Sequence, residues 1–137
     1  MAQRTSNSAA FDEFFDRHFV AVVATLSDVH SSPAVGLREA RSAFASVYRF
    51  WRKIGPRADK LEWVFTDAIG ETRAHEEIAK LAAADHDELP TQPQVISLSY
   101  ERRRVVALAL RRRTFAAVAL GAFVLLMLAA EVFVAGR

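Results

Sequence analysis

The stretch from Thr114 to Ala135, TFAAVALGAFVLLMLAAEVFVA, constrains this chain more than any other part of it. At a rise of ~1.5 Å per residue it reaches about 33 Å as a helix, enough for a hydrocarbon core of ~30 Å. Leu, Val, Phe and Ala dominate, and no proline interrupts them. One transmembrane helix is therefore expected, with the polar mass of the chain forming a head on its amino-terminal side. Glu131 is the one ionisable residue in the run. It falls about 25 Å along the axis from Thr114, near the far interface, where a carboxylate reaches water. Ala117 and Gly121 form a single small-xxx-small pair, a weak signal for helix pairing in an alanine-rich span.

Arginines collect on the amino-terminal flank of that run: Arg102, Arg103, Arg104, Arg111, Arg112 and Arg113, with only Arg137 beyond it. The positive-inside rule places the head in the cytoplasm and the last residues outside. The two triplets bracket the apolar stretch Val105–Leu110. A juxtamembrane helix over 97–113 can thus lie on or near the bilayer before turning in, its six arginines on lipid headgroups; the alternative is that these arginines only set topology. Asp12, Glu13, Asp16 and Arg17 break the first apolar stretch, so no signal peptide is read there. The chain reads as tail-anchored in the cell membrane.

Charge is distributed unevenly. Residues 1–100 carry 11 Lys and Arg against 14 Asp and Glu, whereas residues 101–137 carry 7 against 2. The basic character belongs to the collar, and a mildly acidic head argues against strong nonspecific nucleic-acid binding. With no cysteine in the chain, disulfides and thiolate metal sites are excluded.

Within the head, residues 1–8 are small and polar and are expected to form a flexible arm. Phe11, Phe14, Phe15, Phe19, Val22, Val23 and Leu26 then recur at three- and four-residue steps, one apolar stripe on a helix. Residues 27–32 are turn chemistry, with Ser32 as a cap and Pro33 in the first helical position, where no backbone donor is needed. The second helix buries Leu37, Ala40, Phe44, Val47, Tyr48, Trp51 and Ile54, and Gly55-Pro56 ends it. Asp59 and Glu62 read as a capping pair for a third helix with Leu61, Val64, Phe65, Ala68 and Ile69 inside. Gly70 weakens the middle of the pattern, so the stripe resumed by Ile78 and Leu81 belongs either to the same bent helix or to a fourth. Residues 85–96, with Pro90 and Pro93, read as a linker. The fold class expected is all-α: a three- to four-helix head over 9–84, followed by a long C-terminal helix that includes the span.

No catalytic constellation is present in the sequence. The four histidines lack two-ligand helical spacing, the five glycines form no phosphate cradle, and no serine sits in a nucleophile elbow. No enzyme, metal or cofactor is expected.

The order of elements resembles region 2 of the sigma-70 family, in particular its small extracytoplasmic-function members. Phe11-Asp12-Glu13-Phe14-Phe15-Asp16-Arg17-His18 matches the family's opening helix of the type F-x-x-x-[YF]-x-x-H. Arg41-Ser42-Ala43-Phe44-Ala45-Ser46-Val47-Tyr48-Arg49 matches its second helix, and Leu61-Glu62-Trp63-Val64 the opening of its third. The resemblance covers roughly residues 10–75. It implies a helical scaffold that docks on the RNA polymerase core or on a sigma/anti-sigma regulator; Arg38, Arg41, Arg49 and Arg52, on the flank of the second helix opposite its core side, are the candidate docking residues. It also implies Trp63 and Phe65 as platforms for unstacked bases. The departures lie at function. Arginines and Ser42 stand where the family's second helix carries an acid and Gln that grip the polymerase clamp. The third helix is acidic (Glu62, Asp67, Glu71, Glu76, Glu77), which would repel phosphates and argues against DNA contact. Residues 97–121 echo the first half of the family's region 4, with the span in place of its recognition helix. The functional expectation is a membrane-tethered, sigma-like regulator acting in transcription initiation or its control. The alternative is a membrane adaptor that keeps the scaffold without transcriptional activity.

Overall fold

The computed structural model describes residues 2–54, 59–83 and 97–135. Five α-helices occur in order: α1 (Ala2–Val29), α2 (Pro33–Phe50), α3 (Lys60–Ile69), α4 (Glu71–Ala83) and α5 (Leu98–Ala135). Among the described residues there is no strand, and the all-α expectation holds. The linker expected at 85–96 and the Gly55-Pro56 stop lie outside the described residues.

The phenylalanine stripe of α1 makes the centre of the head. Phe11, Phe15, Phe19, Val22 and Leu26 are fully buried, one per helical turn. Phe44 of α2 inserts among them, with ring centroids 5.7 Å from Phe14, 5.1 Å from Phe15 and 5.4 Å from Phe19. Tilted and edge-on pairs at such distances add stabilisation beyond the area they bury. The pairings run from Leu26 near the start of α2 to Phe11 against Tyr48 and Trp51 at its end, so α1 and α2 are antiparallel.

The turn between them is tight. His30, Ser31 and Ser32 donate their backbone N–H groups back to the last carbonyls of α1, and Ser31 adopts φ 51°. Ser32 caps α2 by accepting from the Val35 N–H, with Pro33 at the first turn, as expected. Gly36 lets the two helices touch: a β-carbon there would collide with the backbone of Ser27.

Two expectations change, and one left open is decided. Residues 2–8 are not an arm but the first turns of α1, in a segment containing no Gly or Pro to stop a helix. The α-helix of the second segment stops at Phe50, and Trp51–Lys53 continue as a turn that still carries Ile54 into the core. Finally, the third apolar stripe is two helices. Gly70 sits at φ 83°, a left-handed value that glycine accepts without strain, and α4 restarts at Glu71. Asp59 caps α3 by accepting from the Leu61 and Glu62 N–H groups.

The largest difference concerns α5. It is one helix from Leu98 to Ala135, with no turn at the collar. Its first half does not lie apart from the head as a surface helix but packs into it, burying Glu101, Val105 and Ala109 at four-residue spacing. That half packs chiefly on α2, with a smaller contact to α1. Beyond Thr114 the helix runs free: Phe115 is 73% exposed and Leu126 72%. This is the one helix long and apolar enough to cross a membrane, by length and composition, among the described residues.

Candidate functional site

The features that distinguish this head from a plain helical bundle sit along the seam where α5 joins it. Arg41 of α2 donates from Nε and Nη2 to the two carboxylate oxygens of Glu101, at 2.6 and 2.7 Å. The Glu101 side chain is 8% exposed and that of Arg41 24%. This fork-to-fork geometry satisfies a carboxylate that burial would otherwise leave unpaired. Its hydrogen bond to Glu101 raises the Arg41 pKa above the ordinary guanidinium value, against the opposing effect of burial. One residue along, Arg102 donates from Nη1 to both oxygens of Asp16 at 3.0 and 2.9 Å and lies 3.6 Å from Asp12. Arg112 donates to the Ser42 hydroxyl at 2.8 Å. The collar is thus tied to both α1 and α2 through residues 60 to 86 positions away in sequence.

Arg41 and Ser42 of α2 meet Glu101 and Arg112 of α5, and Tyr48–Lys53 at the end of α2 flank Ala109–Arg113. There the head opens into a groove of about 760 Å³. Arg49, Arg52 and Lys53 from the end of α2 and Arg113 from α5 supply its charge, and Tyr48, Trp51 and Leu110 its walls. No carboxylate lines it among the described residues. Arg49 and Lys53 lie over the Phe50 ring at 5.2 and 5.9 Å, and Lys60 lies over Trp51 at 4.7 Å.

The structure separates residues that the sequence grouped. Of the arginines assigned to protein docking, Arg38, Arg49 and Arg52 are exposed on α2 and the turn after it, Arg38 paired with Glu39. Arg41 is not part of an exposed face; it is consumed by Glu101. Of the stacking pair, Trp63 is 47% exposed, but Phe65 is fully buried and has no face to offer a base. Of the collar, Arg103, Arg104, Arg111 and Arg113 are exposed and available to headgroups. Arg104 lies over the Tyr100 ring at 5.5 Å. Arg102 and Arg112 bind the head instead of lipid. The seam itself was missed. Its one sequence signal is Glu101, a lone carboxylate on the stripe Leu98, Val105, Ala109.

His18, half-buried against Phe14 at 4.9 Å, has its pKa lowered by burial and by Arg17, with Asp59 pulling the other way. His75, hydrogen-bonded to the Glu71 carbonyl and 3.4 Å from Glu62, has its pKa raised, chiefly by that backbone bond. Among the described residues no three His, Asp or Glu side chains come together as a metal site. Compared with known proteins, the chain matches no family model, no curated protein and no solved structure.

Proposed function

We propose that the chain is a single-pass membrane adaptor on a sigma region 2-like scaffold, whose head is held at the bilayer surface by α5 and recruits a protein partner. The observation that carries this reading is the double role of α5. One unbroken helix supplies buried core residues to the head and continues, bare and apolar, for the length of a bilayer. A helix with no Gly or Pro between Leu98 and Leu120 has no hinge there, so the span fixes the attitude of the head. The excess of arginine on the head side of the span favours a cytoplasmic head. DNA melting is not favoured, because Phe65 is buried and Trp63 stands among carboxylates on α3 and α4.

The test is fractionation of the full-length chain in its host. Resistance to alkaline carbonate extraction, with the head protected from external protease, is the expected result. Extraction of the intact chain into the soluble fraction would defeat the reading.

A second reading, a membrane-tethered regulator of transcription initiation docking on RNA polymerase or on a sigma/anti-sigma partner, is favoured by Arg38, Arg49 and Arg52 standing exposed on the segment that the family uses. In that case α5 occupies part of the docking face through Arg41 and Ser42. Polymerase capture by the detergent-solubilised chain should then rise when Glu101→Ala loosens the seam. Equal absence of polymerase from both preparations would leave the adaptor reading alone.

A further inference from the structure

The groove at the end of α2 combines features that the adaptor role alone does not require. Arg49, Arg52, Lys53 and Arg113 converge on it without a lining carboxylate among the described residues. Among those residues none of the four is in an ion pair, whereas Arg17, Arg38, Arg41 and Arg102 all are. Gathering four cations around one opening raises its potential and leaves it short of a counterion.

Its position is equally specific. Leu110 and Arg113 belong to the last turn of α5 before Thr114, so the opening lies within about 6 Å of the start of the span. With α5 in a bilayer, that depth is the headgroup layer. The walls suit an amphipathic occupant: Trp51, Tyr48 and Leu110 supply apolar surface beside the four cations, and the guanidinium groups can fork onto phosphate oxygens. A volume of about 760 Å³ leaves room for a whole headgroup rather than a single ion.

We propose that this groove is a binding site for a phosphorylated lipid headgroup bearing more than one negative charge, such as a phosphomonoester, taken from the leaflet that the head faces. The site rests on the membrane-anchored reading and goes beyond the general attraction of an arginine collar to anionic lipid. Diffuse attraction depends on surface charge. A built groove also distinguishes headgroups of different charge and shape.

The test uses the full-length chain in lipid nanodiscs. In a Trp63→Phe background, Trp51 is the remaining indole and reports on the groove. Discs of phosphatidylcholine are compared with discs containing phosphatidic acid or phosphatidylglycerol, the two anionic lipids matched for total surface charge. Reconstitution into phosphatidylcholine alone is scored separately. Failure to insert there would sink the membrane reading, whereas insertion without lipid preference would sink only the site.

The expected result is a saturable Trp51 response to phosphatidic acid that exceeds the response to phosphatidylglycerol. Arg49→Gln, Arg52→Gln and Lys53→Gln together should weaken it by about tenfold or more, given the size of single-cation contributions at a membrane surface. The same charge removed as Arg17→Gln, Arg73→Gln and Lys80→Gln should leave the preference in place. Matched thermal transitions for the two triple variants establish that both heads are folded. Equal responses to the two anionic lipids, or equal loss in both triple variants, would overturn the proposal. So would saturation by inorganic phosphate in detergent without any lipid preference, which would assign the groove to a soluble phosphate.

Discussion

Residues 98–113 and 114–135 belong to the same helix but face different surroundings. In the first half Val105 is fully buried and Ala109 is 2% exposed, and charged side chains are committed to the head through Arg41–Glu101, Arg102–Asp16 and Arg112–Ser42. In the second half every described side chain is exposed, and the only ionisable one is Glu131. The head treats the first half as core, while the second has nothing of its own chain to pack against; Gly121 has no neighbour within 4 Å of where a β-carbon would stand. The difference teaches that the exposed apolar half is not an appendage. Orientation set by packing in the first half passes to the second through an unbroken backbone hydrogen-bond ladder, which bends little without a breaker.

Truncation gives the strongest way to break this contrast. A chain ending at 96 lacks Glu101, Val105 and Ala109, and is expected to lose a cooperative thermal transition, since the stability of a small domain is only about 5–15 kcal/mol. A chain ending at 113 keeps every packed helix and should melt as the full-length protein does in detergent. Equal melting of the two truncations, measured by circular dichroism, would show that the collar is not core.

Placing one carboxylate in each half should produce opposite phenotypes. Val105→Glu buries an unpaired charge in the head and should cost several kcal/mol of its stability. Leu125→Glu should leave the head transition unchanged in detergent, while making membrane insertion less favourable by about 2.5–3.5 kcal/mol. Glycosylation-site insertion assays and melting curves separate the two effects.

A smaller loss is expected from Glu101→Gln, which leaves the partly buried Arg41 guanidinium without its anionic partner. About 2 kcal/mol is reasonable for a pair that keeps some solvent access. Arg41→Met combined with Glu101→Leu should recover much of it, because an apolar pair of similar volume needs no compensation. Non-additivity in this double-mutant cycle measures the seam directly.

The smallest effects concern protons. The His18 pKa lies below the ordinary 6.5, so the unfolded chain binds the proton more readily. Its contribution is intact above 6.5 and is lost as pH falls through the folded-state value. His75 has the opposite sign: its pKa is raised, and its contribution is present below 6.5 and lost as pH climbs through the raised value. His18→Gln should therefore flatten the acid side of the melting-temperature profile, and His75→Gln should remove a fall in melting temperature as pH climbs from 6.5 through the raised value. Neither change should alter retention of the span in the membrane.

The fold was legible wherever the signal was local. The stripe from Phe11 to Leu26, the Ser32-Pro33 start, the Asp59 cap and the run after Thr114 are each readable within one or two helical turns, and each stands where periodicity and capping chemistry place it. The seam depends instead on partners 60 or more residues apart, for which sequence supplies no distance. Two arginine triplets dominated residues 102–113 and suggested a lipid surface, hiding a narrow buried stripe. Glu101 was the residue to question, because a carboxylate in line with Leu98, Val105 and Ala109 must find a counter-charge if that stripe is buried. The groove was hidden for a similar reason: Arg49, Arg52 and Lys53 look like a solvated helix end until Arg113 arrives from another helix.

Hydrogen exchange of the full-length chain in lipid nanodiscs tests the central claim most directly. If the first half of α5 is core, amides of residues 105–110 should open with the same free energy, and the same denaturant dependence, as those of residues 43–47 in α2. Exchange of 105–110 orders of magnitude faster, with α2 still protected, would contradict it and return the collar to the role of a surface helix.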